Sequence, residues 1–528
     1  MRVSITKSKN FEFVYIIKDF YNNKSRTTKI YEKLGTMDYL CKEKNMSRDE
    51  VISWAKSYAK QLTIKEKNDN CDTIIPFSPD KIIERDAERK FNCGYLFLQN
   101  IYYNLRLDNI CRNIKNKYKF DFDINAILSD LIYSRILCPS SKLSSFDYSS
   151  TLLESPKYEL HHIYRALSVL FKESDYIQAE LYKNSHFIKN RDTSTLYYDC
   201  TNYYFEIEDD DDFRKYGKSK ENRPNPIVGM GLMMDGDGIP LAFDVYEGNK
   251  NEQVSLKPLE ERIIKDFELS KFIYCSDAGL ASKKNKKFNN IQNRAYIITQ
   301  SLKKLKKDDQ EIALKHTGFL EAGSQSTKRI NIDDIDFTDE INKNRLFYKE
   351  IPLESPVEER LIVTYSPKYA AYQKNIRNKQ ILRASNMIQT NGKLKKNQKN
   401  PNDPARFIEK ITTDKDGEVI EEYYSLDQEK IKDESMYDGF YAVTTNLEDE
   451  DVKAIIKISE RRWQIEECFR IMKTDFKARP VYLQNRDRIE AHFLTCFISL
   501  IIYRLLANKL NNKYTVAEIL KTIRGMEL

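Results

Sequence analysis

Between Ser194 and Thr299 the chain sets out short apolar and aromatic runs in an order that few folds can accommodate. Ser194–Glu206 (STLYYDCTNYYFE) alternates bulky and polar residues with the two-residue period of a strand. Ile227–Asp235 (IVGMGLMMD) predicts a second strand, Gly236–Gly238 a tight turn, and Ile239–Tyr246 (IPLAFDVY) a third. In Val254–Phe267 the apolar residues Leu256, Leu259, Ile263 and Phe267 recur at helical intervals. Lys271–Ser276 (KFIYCS) predicts a fourth strand ending on Asp277, Leu280–Ile291 a helix, and Ala295–Thr299 a fifth strand.

The order β-β-β-α-β-α-β is the ribonuclease H-like arrangement, an α/β fold with a mixed sheet covered by helices on both faces. In it the first and fourth strands lie side by side and parallel, which brings Asp277 next to Asp199. Asp199 is flanked by aromatics, and an unpaired carboxylate buried there is costly. A third carboxylate lies in Ile458–Lys473 (ISERRWQIEECFRIMK). Read as one helix, this stretch puts Ile465, Phe469 and Met472 on an apolar stripe, and Arg462, Glu466 and Lys473 close to one face. Taken singly, Glu466 is explained by a solvated face, Asp199 by turn capping and Asp277 by a helix N-cap. Taken together, the three suit hard divalent cations, Mg²⁺ or Mn²⁺, and phosphoryl transfer on DNA. Two such ions about 3.5–4 Å apart activate a water or a 3′-hydroxyl and stabilise the leaving oxygen.

The remaining chain divides around this core, expected at 191–300 and 438–528. Residues 1–90 predict a β-hairpin (Phe13–Asp19 with Thr27–Lys33), a helix over Met46–Leu62 and a linker over Asn68–Lys81. Residues 91–190 read as a helical, DNA-contacting or packing domain, with Pro139 as a helix stop and Arg135, Lys142 and Arg165 as candidate phosphate contacts. Residues 301–437 read as a mostly β insertion domain with a basic helix, Lys368–Met387, and a Lys-rich loop, Thr390–Pro404. Lys374, Arg377, Lys379, Arg383, Lys393, Lys395, Lys396 and Lys399 are its densest positive charge. They form either a DNA-attracting surface or a solvated charge run. Asp438–Asn446 returns to strand character. The apolar run Phe493–Tyr503 is short of the roughly 20 residues a bilayer needs and predicts a buried core helix.

Composition narrows the chemistry. Nine cysteines without a C-x-x-C pair and only five histidines support neither a zinc site nor a disulfide framework. The N-terminus has no apolar signal region, so a cytoplasmic protein with reduced thiols and no membrane partner is expected. The net charge of +7 is weak evidence for nucleic acid by itself, although 87 basic residues allow strong local patches.

Four segments together resemble the DDE transposases of bacterial insertion sequences: YYDCTNYYFE, GKSKENRPNPIVGMGLMMDGDGIPLAFDVYEGNKNE, IYCSDAGLAS and RRWQIEECFRIMK. More narrowly they resemble the branch with a Tyr-Arg-Glu-Lys signature and a large β insertion before the catalytic Glu. The resemblance spans roughly Leu96 to Leu510. It implies that Asp199, Asp277 and Glu466 form the catalytic, metal-binding triad, with Arg462 and Lys473 approaching DNA. Lys218, Lys220 and Arg223 fall where the family has a GxSKxxR-like segment and are either DNA-backbone contacts or part of a mobile charged loop, and Trp463 and Phe469 are expected to anchor the helix in the core. The signature's Tyr falls on Ser459, a departure. The implied activity is binding of terminal inverted repeats, metal-dependent DNA cleavage and strand transfer into target DNA by a homodimer, a cut-and-paste reaction. Two other readings share these residues: a ribonuclease H-like nuclease without strand transfer, and an inactive DNA-binding descendant.

Overall fold

The computed structural model describes residues 2–8, 11–22, 25–44, 46–69, 90–291, 293–324, 326–353, 358–390, 402–413, 419–448 and 450–528. They fall into two compact units, Met1–Glu88 and Arg89–Leu528. Most of the expected linker and most of the Lys-rich loop, with Lys393, Lys395, Lys396 and Lys399, lie outside the described residues.

In the N-terminal unit, β1 (Arg2–Ser8), β2 (Phe11–Asn22) and β3 (Ser25–Thr36) form an antiparallel sheet. The helices α1 (Met37–Lys44) and α2 (Arg48–Asp69) complete the unit, and Val14, Met37, Leu40, Val51 and Ala55 make its core. The expected hairpin is β2–β3. The additional strand β1 carries only two apolar residues, Val3 and Ile5, too few to reveal it by alternation.

The second unit opens with six helices: α3 (Tyr95–Asn104), α4 (Leu107–Lys117), α5 (Ile124–Leu137), α6 (Lys142–Ser149), α7 (Leu160–Lys172) and α8 (Ser174–Ser185). Asp123 starts α5 by accepting from the backbone N–H groups of Asn125 and Ala126.

Then come β4 (Thr195–Tyr204), β5 (Ile227–Asp235) and β6 (Pro240–Glu247), followed by α9 (Glu252–Asp266), β7 (Phe272–Ser276), α10 (Lys283–Phe288) and β8 (Arg294–Thr299). The helix expected over Leu280–Ile291 is shorter, a 3₁₀ turn at Ala278–Leu280 and then α10.

Through residues 301–437 run α11 (Lys307–Leu314), β9 (Leu320–Glu321), α12 (Glu340–Lys343), β10 (Phe347–Pro352), β11 (Arg360–Tyr365), α13 (Pro367–Gln389), β12 (Ile408–Thr413), β13 (Val419–Leu426) and α14 (Gln428–Ser435). The chain finishes with β14 (Phe440–Thr445), α15 (Val452–Glu460), α16 (Trp463–Arg470), α17 (Arg486–Lys509) and α18 (Val516–Arg524).

Among the described residues the central sheet has the order β6-β5-β4-β7-β8-β14-β11-β10-β9. Strands β4, β7 and β8 pair in parallel, and the other pairs are antiparallel. This is a ribonuclease H-like mixed sheet. Glycines in β5 let aromatic rings lie flat on it, since a Cβ at Gly231 would come within 2.2 Å of the Tyr198 hydroxyl.

Segment 301–437 differs from the expected insertion domain: β9, β10 and β11 extend the core sheet through β14, and only β12 and β13 form a separate ribbon. Leu361, Ile362 and Val363 of β11 are buried in succession, so a continuous apolar run serves here as an inner strand. In α13, Arg377 is buried and makes a bidentate pair with Asp438 at 2.6 Å, so it holds the helix down instead of facing a ligand.

Alternation along β4 sorts its side chains between two cores. Tyr197 and Tyr203 join the large cluster with α16, α17 and the helical block, whereas Leu196, Tyr198 and Cys200 join the cluster beneath α9. The α17 helix is long and apolar enough to cross a membrane, yet 89% of its apolar window is buried inside the protein, as expected for a core helix. It packs against α3, α5, α7 and β6, making it the spine that joins the helical block to the sheet.

Candidate active site

Asp199 and Asp277 meet because β4 and β7 are parallel neighbours. The last register pair is Tyr198 with Ser276, and the two aspartates follow one residue later. Neighbouring strands are about 4.8 Å apart, so the carboxylates leave the sheet side by side. Both lie on the large-core face: Asp199 is an even number of residues from Tyr197 and Tyr203, and Asp277 from Ile273 and Cys275. That same face is covered by α15 and α16, where the Tyr197 hydroxyl donates to Ile458 O at 3.0 Å.

Each aspartate is also used locally. Asp199 Oδ1 accepts from Cys200 N at 2.7 Å, and Asp277 Oδ1 caps the 3₁₀ turn by accepting from Ala278 N at 2.7 Å. Burial pushes the Asp199 carboxyl up to about 6; Lys220 and the Cys200 N–H oppose this, while Asp277 and Glu252 add to it. Glu252 is a member of the cluster that its carboxylate type alone did not single out. It ion-pairs with Lys220 at 3.3 Å, and its only sequence signal is its place in the GNKNE segment.

The stretch Ile458–Lys473 is not one regular helix. It is broken between α15 and α16 at Arg461 and Arg462, and it ends in a π-helical turn, Ile471–Asp475. Arg462 Nη1 donates to Asp277 Oδ1 at 3.2 Å, to Ser276 O at 3.4 Å and to Thr299 Oγ1. Burial works against its charge, but Tyr441, Asp277 and Glu466 favour it and leave its pKa raised. Glu466, one turn further on, is exposed in the first turn of α16. The π turn displaces Lys473 from the stripe expected of a regular helix. Its ammonium lies 3.3 Å from Glu221 and 5.4 Å above the Tyr203 ring, and burial pushes its pKa down to about 8, with Lys220 adding to the effect and Asp199 opposing it.

Ser459, where the signature has a Tyr, is buried and hydrogen-bonds to the Tyr441 hydroxyl at 3.1 Å. Tyr441 bonds in turn to Thr299 at 2.9 Å, so β14 and β8 support Arg462 from behind. Phe469 is buried as expected. Trp463, by contrast, is 57% exposed, because the break before α16 turns its first residue outward.

Lys218 and Lys220 line a cavity of about 600 Å³ with Asn249, Glu252 and Gly279, beside the aspartates. Arg223 stacks its guanidinium 4.8 Å over the Tyr204 ring. Glu221 between them pairs with both Lys473 and Arg479, a counter-charge unforeseen because its partners are distant in sequence.

Among the described residues, no three His, Cys, Asp or Glu side chains stand together as a metal-ligand set. The donor chemistry nevertheless fits a hard divalent ion: paired carboxylates on neighbouring strands repel one another, and Arg462 now offsets part of that charge.

A mixed sheet presenting paired carboxylates beside its parallel strand ends, under a helix bearing a third, defines the ribonuclease H-like class. Residues 186–502, more than half of the chain, match the family model of the transposase DDE domain, and the chain belongs to that family. Among solved structures it is similar to piggyBac transposase in a cryo-EM synaptic complex with hairpin DNA, at 9% identity and a TM-score of 0.36, covering 82% of this chain and 78% of that one. No curated protein matches the chain.

Proposed function

We propose that the chain is the transposase of a bacterial insertion sequence, of the Tyr-Arg-Glu-Lys branch. It binds the element's terminal inverted repeats, cleaves DNA and joins the freed 3′ end to target DNA by cut-and-paste. The observation that carries this reading is the juxtaposition of Asp199 and Asp277, in a DDE-family domain, on the face covered by the Glu466 helix.

On this reading Asp199, Asp277 and Glu466 would hold Mg²⁺ or Mn²⁺. Two such ions, when bound, activate the attacking water or 3′-hydroxyl and stabilise the leaving oxygen. Arg462 holds Asp277 in place until the ligands are recruited, and with Lys473 it neutralises phosphates at the DNA end. Lys218, Lys220 and Arg223 guide the backbone past the aspartates. A homodimer assembled on DNA in the cytoplasm pairs the two ends.

A labelled duplex carrying the element's terminal repeat together with its flanking DNA tests the reading, since it reports both cleavage at the repeat's end and joining of the freed 3′-hydroxyl. Covalent transfer of the label to a target plasmid is expected. Cleavage without transfer would make the chain a nuclease, and binding without either would make it an inactive descendant.

A further inference from the structure

Away from the aspartates, the helical block and the segment that follows α16 enclose a cavity of about 70 Å³. Its walls include Arg135 at the end of α5, Ser141 and Lys142 at the start of α6, and His492 of α17. Lys142 is 5% exposed and Arg135 2% exposed. The Lys142 ammonium has no hydrogen-bond partner. Arg135 spends Nη1 and Nη2 on the carbonyls of Phe476, Lys477 and Ser140, which leaves its Nε without a partner. His492 is held neutral by burial and by these two cations, and donates to Ala478 O at 3.0 Å.

Among the described residues no carboxylate lines this cavity. Two buried basic side chains share this wall without a counter-charge and with unpartnered nitrogens, and burial with the neighbouring Arg135 pushes the Lys142 pKa down to about 7, so an anion between them would offset a cost the fold otherwise bears. The cavity opens outward between Leu143 and Tyr482, which are 51% and 71% exposed. A water needs about 10–15 Å³ of such space, so there is room for a group of a few heavy atoms and none for a base. The N-terminal end of α6, where Ser141 caps the Ser144 N–H, adds its positive dipole end to the same wall.

We propose that Lys142 and Arg135 form a binding site for a single phosphate group, either free inorganic phosphate or one phosphodiester of bound DNA. The site accepts the oxyanion between the Lys142 ammonium and the Arg135 Nε–H, with the exposed Tyr482 and Leu143 at its mouth. The phosphodiester source rests on the transposase reading, whereas the phosphate site itself does not.

The test titrates the full chain with inorganic phosphate against chloride at equal ionic strength and follows Tm, with Lys142→Met and Lys142→Gln in parallel. Phosphate is expected to raise the wild-type Tm by about 2 °C or more beyond chloride, and both variants are expected to lose that response. In chloride alone Lys142→Met should be at least as stable as wild type, since it no longer buries an amine without a hydrogen-bond partner. A wild type that does not distinguish phosphate from chloride, or variants that respond as it does, overturns the proposal. Given the phosphate response, a short duplex identifies the occupant. A roughly tenfold weaker affinity for Lys142→Met assigns the site to a DNA phosphodiester, and unchanged affinity assigns it to free phosphate. The Tm arm is independent of cleavage activity, so failure of the site and failure of the transposase reading remain distinct.

Discussion

Arg462 and Asp277 are joined by a hydrogen-bonded ion pair of 3.2 Å. The pair fastens the start of the Glu466 helix to the strand end beside Asp199. The same guanidinium reaches Ser276 O and Thr299, so Asp277 is held by a group that competes with any cation for its oxygens.

Removing that competitor should expose the aspartate pair. Arg462→Ala is expected to bind Mn²⁺ several-fold more tightly in the absence of DNA, read by the loss of free-Mn²⁺ electron paramagnetic resonance signal. It should also bind the DNA end more weakly. Unchanged Mn²⁺ affinity would mean that Asp277 takes no part in holding the ion.

Asp199→Ala, Asp277→Ala and Glu466→Ala should each lower DNA cleavage by at least about a hundredfold while leaving DNA binding measurable. Single-turnover cleavage of a labelled end substrate gives the rate, and a mobility-shift titration gives the affinity. Normal cleavage by any one variant removes that residue from the site.

Lys473 carries a charge that burial makes easy to lose, its pKa standing at about 8. It is protonated below that value, so binding of the DNA end should weaken as pH rises through about 8. Lys473→Arg, whose guanidinium stays charged, should remove this dependence. Lys473→Ala should flatten the slope of log affinity against log salt by about one unit. An unchanged slope would leave Lys473 as the partner of Glu221 alone.

Glu260 of α9 provides a test of the fold apart from the chemistry. It is fully buried, Asn289 donates to both its oxygens at 2.9 and 3.1 Å, and burial pushes its pKa up to about 8. The folded state therefore holds this proton more tightly than the unfolded chain. The stability it contributes is complete below about pH 4.5 and is lost as pH rises through 8. Glu260→Gln, which cannot ionise, should match wild type near pH 4 and exceed its Tm above pH 8. Parallel Tm curves across that window would refute the shift.

Much of the core was legible because strands announce themselves through a two-residue period and helices through a longer one. β4 to β8 fall within a few residues of the expected runs, and their order alone implies that Asp199 and Asp277 are neighbours. Where the local signal misled, a distant contact prevailed. The strands of 301–437 read as a separate β domain, but the free edge of β14 recruits them into the central sheet. Trp463 reads as a core anchor, but a break in the helix turns it outward.

Strand order, helical cover and the types of side chain that can gather at the strand ends follow from local patterning, because periodicity and hydrophobic runs act over a few residues. How those charges are partnered emerges from the packed fold. Lys473 finds Glu221 across 252 positions, Arg462 finds Asp277 across 185, and Arg135 and Lys142 close on a shared cavity instead of facing solvent. Electrostatic partnership depends on distance and burial in space, and neither is written in the spacing of residues along the chain.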